Sequence, residues 1–100
     1  MIRIICAAIW YKDQPTAPFQ PKNITSGIVL CGFNHAAIIQ QHVSIADKAQ
    51  FEMGEHEQGF LTNDNRFVDR KEGLQIAIAA SQLKELDHQI TSLYSEYTNY

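Results

Sequence analysis

The stretch from Gly59 to Gln82, GFLTNDNRFVDRKEGLQIAIAASQ, constrains this chain most, because strand, turn, cap and helix signals follow one another in it without a gap. Gly59 to Thr62 reads as a short extended run. Asn63, Asp64 and Asn65 then form a cluster of residues that tolerate left-handed backbone and hydrogen-bond their own main chain, so a tight turn is expected. Arg66, Phe67 and Val68 resume the extended pattern, and the two arms pair as a hairpin. At Asp69 the period changes. Asp69 and Glu72 have the spacing of a capping box, in which the cap carboxylate accepts a backbone N–H and the later Glu reaches back. Leu74, Ala77, Ile78 and Ser81 recur at helical steps, with Ile76, Ala79, Ala80 and Leu83 widening the apolar face.

Three of the eight basic residues, Arg66, Arg70 and Lys71, stand close to this helix start. A helix N-terminus carries free N–H groups and a partial positive charge, so guanidinium groups beside it form a candidate phosphate or anion seat. The same pattern is equally that of a capped helix with a solvated basic rim.

One hundred residues with 45% hydrophobic content suffice for one domain with a real core. So small a domain gains from association with further copies, and a homo-oligomer is expected. The net charge of −3 gives no general attraction to a polyanion, which argues against long nucleic acid as a partner. A small anionic ligand needs only two or three local cations.

Read in order, Ile2 to Tyr11 is a strand buried for much of its length on both faces, the centre of a sheet. It is too short to span a bilayer, and it lacks the small-residue cleavage pattern of a signal peptide, so a cytoplasmic protein is expected. Asp13 to Thr25 holds all three prolines and reads as a polyproline-like loop. Gly27 to Cys31 is a second buried strand. Asn34 caps a helix that starts at His35, carries Ala36, Ile39 and Val43 on one stripe, and reaches Ala46 or Gln50. Phe33 in the preceding turn reads as a core ring or a stacking face. Phe51 to Gln58 reads as a polar connection, and Leu83 to Tyr94 as a second helix or a continuation of the first. The architecture these elements make is α+β, a small antiparallel sheet with two or three helices packed on it.

Recognisable reaction chemistry is missing from the pattern. There is no Walker loop, dinucleotide fingerprint or nucleophile elbow, and Asp64, Asp69 and Glu72 already have turn and capping roles. Cys6 and Cys31 lie in apolar runs, where a reduced cysteine behaves as a small buried hydrophobe. His35, His42, His56 and His88 have no metal-ligand spacing, so no metal and no cofactor is expected. The residues favour binding over turnover.

The run GF-x-T-x-x-x-RFV-D-R-x-E, with the earlier IVLCGFNHAAII and the late LYSE, resembles a family of small phage-encoded proteins, the anti-Thoeris sponges. Those proteins bind and sequester cyclic ADP-ribose-type signals made by a bacterial immune system. The resemblance covers roughly half the chain in three blocks. It implies a site between protomers in which Arg66 and Arg70 meet phosphates and Phe60 or Phe67 stacks on a base. Asn63, Asn65 and Asp69 would hydrogen-bond base or ribose, with Asn34 and His35 as further donors. It also implies that LYSE packs back on the core. The family pattern often carries basic residues before a His pair, whereas this chain has Phe33, Asn34, His35 and Ala36, which removes arginines that the resemblance would make candidate phosphate contacts. A different reading is a small phage inhibitor that uses the acidic stretch Glu52 to Glu57 to block a host protein directly.

Overall fold

The computed structural model describes residues 1–45, 55–83 and 93. Four strands, β1 (Ile4–Tyr11), β2 (Ile28–Gly32), β3 (His56–Thr62) and β4 (Phe67–Asp69), form one antiparallel sheet in the order β2-β1-β3-β4. Helix α1 (His35–Ile45) follows β2, and α2 (Arg70–Ala79) follows β4. This is the expected α+β architecture. The C-terminal helix expected over Leu83 to Tyr94 lies outside the described residues apart from Leu83 and Leu93, as does LYSE beyond Leu93. Leu93 itself is fully buried in the core.

β1 is the sheet centre because its Ile-rich and aromatic residues can be buried. Ile4, Ala7, Ile9 and Tyr11 point to one face and join Ile38 of α1, Phe60, Val68, Leu74, Ala77 and Leu93 in a single core. A register shift between Ile4 and Cys6 admits the extra residue Ile5 and keeps Ile4 on the same face as Ala7. The other face of β1 carries Cys6, Ala8 and Trp10.

The expected polar connection from Phe51 to Gln58 is corrected at its end. His56, Glu57 and Gln58 belong to β3 and pair with Tyr11, Trp10 and Ile9. β1 outruns the hairpin predicted from Gly59, so its last backbone groups recruit whatever precedes that glycine. Charge reinforces the pairing, since Lys12 Nζ lies 3.4 Å from Glu57 and 3.8 Å from Glu55. Gly59 itself is required. A Cβ there would strike the Val68 carbonyl oxygen and come within 2.8 Å of the Phe67 ring. Phe67 crosses that empty place to meet Trp10 edge-on, with centroids 5.9 Å apart.

Two further expectations change. Cys6 is only half-buried and Cys31 is exposed, because both lie on the sheet face turned away from the helices. The helical pattern expected through Ser81 and Leu83 stops at Ala79, with Ala80 as C-cap and Ser81 in the left-handed region at φ 57°. Ile78 consequently stays 50% exposed.

The early stop releases Gln82 for another purpose. β2 pairs with β1 only from Ala7 onward, which leaves the outer backbone groups of Ile4 without a strand partner. The Gln82 side chain, buried, accepts from Ile4 N at 2.8 Å and donates to Ile4 O at 2.7 Å. Asn23 does the same on the opposite border, accepting from Phe67 N at 2.8 Å and donating to Phe67 O at 2.7 Å. Gln20 accepts from Val29 N at 2.7 Å on β2. The proline segment is thus anchored to both outer strands, and Pro21 is buried.

Replacing Gln82 with Ala strips both bonds from a buried backbone unit. We expect a loss of about 2–4 kcal/mol in unfolding free energy, from two hydrogen bonds and the desolvated groups they leave behind. Urea denaturation followed by circular dichroism measures it, and a loss below about 1 kcal/mol, the net worth of one ordinary hydrogen bond, would contradict the assignment.

Candidate functional site

The hairpin turn and the first turn of α2 bring five of the nine predicted residues together. Thr62 N donates to Arg66 O and Asn65 N to Thr62 O, each at 3.0 Å, and Asn65 adopts φ 61°. This is a turn closed by one left-handed residue, and asparagine tolerates that conformation better than most side chains. Asn63 faces the N-terminal segment. Its Oδ1 accepts from Arg3 N at 2.9 Å and its Nδ2 donates to Met1 O at 3.0 Å. Asn65 O accepts from Lys22 N at 2.8 Å, which ties the turn to the proline segment.

Asp69 caps α2 as predicted, its Oδ1 accepting from Glu72 N at 2.8 Å. The Glu72 carboxylate turns instead toward Arg66 Nη1, 3.4 Å away. Arg66 Nε meanwhile donates to Asp64 Oδ2 at 3.0 Å, and the Thr62 hydroxyl donates to the other oxygen of Asp64. Arg66 is therefore held between two carboxylates with its side chain 29% exposed. The hydroxyl of Thr62 first, and then Arg66 and Lys22, hold the Asp64 carboxyl below its ordinary range, while Asp64 and Glu72 push Arg66 up.

Arg70 takes the other direction, its Nη2 donating to Gln58 Oε1 at 2.5 Å. The two guanidinium groups therefore have separate partners, Asp64 and Glu72 for Arg66 and Gln58 for Arg70. Both arginines belong to the segment that leads into and starts α2. The helix N-terminus between them is occupied by the Asp69 carboxylate.

The remaining four residues lie elsewhere. Phe60 is fully buried and Phe67 is 6% exposed, so both rings that the resemblance implies for stacking belong to the packed interior. His35 is buried at 6% exposure, its Nε2 2.7 Å from the Gly59 carbonyl and its ring edge-on to Phe60 at 5.2 Å. A carbonyl only accepts, so Nε2 carries the proton in that bond. Asn34 caps α1, accepting from Ala37 N at 2.7 Å. It stands just after β2 and beside His35, whose ring reaches the Gly59 carbonyl of β3. Phe33 is 76% exposed, which settles the choice between core ring and exposed ring.

Sequence reasoning missed Asn23, Gln20 and Gln82, whose amides act over 9 to 78 residues of separation. No local spacing signals such a contact. The one available cue is a long polar side chain next to a turn in a chain that is short of strands.

The architecture defines a small sheet-and-helix domain in which, among the described residues, charged side chains gather at the β3-β4 turn with the start of α2 and around Lys12. Residues 3–98 match the model of the phage T4 y16D protein family, and the chain belongs to that family. No curated protein and no solved structure matches it. Among the described residues no helix is long and apolar enough to cross a membrane.

The Asp64 carboxyl generates a pH prediction. A group whose pKa is depressed by folding contributes stability above its unfolded value, and that contribution is lost as pH falls through the folded pKa. Asp64→Asn should therefore be less stable than the wild type at neutral pH, with the difference closing as pH drops below the ordinary 3.8. Urea midpoints across a pH series test this, and a difference that stays constant into acid would show that the carboxylate charge is not its source.

Proposed function

We propose that this phage-family protein is a sponge, a binding protein that holds a small cyclic nucleotide signal without cleaving it. The signal is a cyclic ADP-ribose isomer or a cyclic oligonucleotide, and the protein acts as a homo-oligomer in the host cytoplasm. The observation that carries the reading is the pair of guanidinium groups at the start of α2. Both are fastened by side-chain partners on the protein surface, Arg66 to Asp64 and Glu72 and Arg70 to Gln58.

The contacts around Arg66 indicate how a ligand would enter. Glu72 is 52% exposed and makes the longer contact, so a ligand phosphate replaces it at Nη1 while Asp64 keeps Nε in place. Such an exchange swaps one charge-assisted bond for another and needs no backbone movement. Arg70 meets a second anionic group of the same extended ligand, and Asn65, exposed at the turn, offers an amide to base or ribose. Phe60 and Phe67 lie in the core, so the reading rests on the two arginines and Asn65 and not on a stacking ring.

A second reading, direct inhibition of a host protein, draws on Phe19. This ring is fully exposed and its backbone sits at φ 64°, a strained place for a bulky residue. Exposed aromatic anchors of this kind serve protein interfaces well.

Calorimetric titration with cyclic ADP-ribose isomers and cyclic oligonucleotides separates the two. The sponge reading expects saturable sub-micromolar binding and recovery of intact ligand after denaturation. Loss of the ligand would mark an enzyme, and absence of binding by any member would favour the host-protein reading. Arg66→Ala and Arg70→Ala should each weaken binding about tenfold or more, the worth of a charge-assisted hydrogen bond. Lys71→Ala should change it little. Equal affinity in all three variants would remove the arginines from the site.

A further inference from the structure

The sheet face turned away from α1 and α2 places the chain's two cysteines together. Ala8 of β1 pairs with Cys31 of β2, and Ala7 pairs with Gly32. Cys6, two residues before Ala8, is therefore on the same face as Cys31 and diagonal to it. Diagonal neighbours across an antiparallel pair have Cα atoms about 7–8 Å apart and Cβ atoms somewhat closer, within reach of two inclined side chains. Both cysteines are reduced, Cys31 exposed and Cys6 half-buried. The two thiols act on each other, the neighbouring Cys31 holding the Cys6 thiol below its ordinary pKa and Cys6 pushing that of Cys31 up.

Both positions have room to move. Cys6 follows the register shift of β1, where the backbone is already irregular. Cys31 lies on the short border strand β2 and is followed by Gly32.

We propose that Cys6 and Cys31 form a dithiol site that exchanges with low-molecular-weight disulfides and closes into a Cys6–Cys31 bridge. The Cys6 sulfur, as thiolate, attacks one sulfur of the small disulfide; its S–S bond breaks and one thiolate leaves. Cys31 then attacks the Cys6 sulfur of the mixed disulfide and expels the second thiolate. The two protons of the protein thiols end on the two departing small thiols. Two protein thiols are oxidised and one small disulfide is reduced, so atoms and electrons balance. An unstrained bridge prefers Cα atoms about 5.5–6 Å apart, closer than a diagonal pair offers. The closed form is accordingly strained and easily reopened by a small thiol.

The test uses the full chain, reduced and then incubated with oxidised glutathione, trapped with N-ethylmaleimide and read by intact mass. The folded wild type should lose two hydrogens, retain no alkylatable thiol and stay monomeric on a non-reducing gel, and mild reductant should restore both thiols. Closure should run about tenfold or more faster in the folded protein than in urea, because the sheet holds the sulfurs at a raised effective concentration. Cys6→Ser and Cys31→Ser should each accumulate one glutathione adduct and stop there. A wild type that stops at the adduct, keeps both thiols alkylatable, links into dimers, or closes equally fast in urea would overturn the proposal.

Discussion

A backbone N–H or C=O taken out of water must find a partner, and the arrangement of this sheet follows from that demand. β1 has eight residues, whereas its neighbour β2 has five and the border strand β4 has three. Strands of unequal length leave main-chain groups exposed at the steps between them. The chain covers such a step, and the outer edges of the two border strands, with carboxamides. Gln82 serves Ile4, Asn23 serves Phe67, and Gln20 serves Val29. Glutamine and asparagine suit the task because one side chain holds a donor and an acceptor with the geometry of a peptide unit. Using them in place of further strands lets a chain of 100 residues finish a four-stranded sheet.

The same economy governs the charged junction. The β3-β4 turn, the cap of α2 and the pairing of Arg66 share Thr62, Asp64, Asp69 and Glu72, so each polar group there has both a structural and an electrostatic task. Glu72 shows the competition most plainly. Its position predicts a reciprocal cap, but an arginine within reach takes its carboxylate. The junction is thus already balanced in charge and is no empty positive hollow.

What could be read from the chain divides along the range of the interactions. The hairpin, the Asp69 cap and the Asn34 cap are settled within a few residues of sequence, so turn chemistry and periodicity were enough to locate them. The beginning of β3 at His56 was hidden because the polar, acidic segment is recruited by the length of β1, a property of another part of the chain. The end of α2 was overrun for a similar reason, since Ile78 and Ser81 continue the helical pattern while Gln82 is needed elsewhere. Phe60 and Phe67 could not be told from exposed rings because alternation assigns a face but does not say which face is covered. The cysteines read as buried on the strength of their apolar neighbours, although they lie on the sheet face turned away from α1 and α2.

Gln82 completes β1 from 78 positions downstream, and Leu93 N donates to the Arg70 carbonyl while its side chain fills the core. The outer backbone groups of Ile4 must therefore wait for a residue far downstream before they are satisfied. The start of β1 is thus completed by contacts that join distant parts of the polypeptide, the kind that form late because their loop closure is costly.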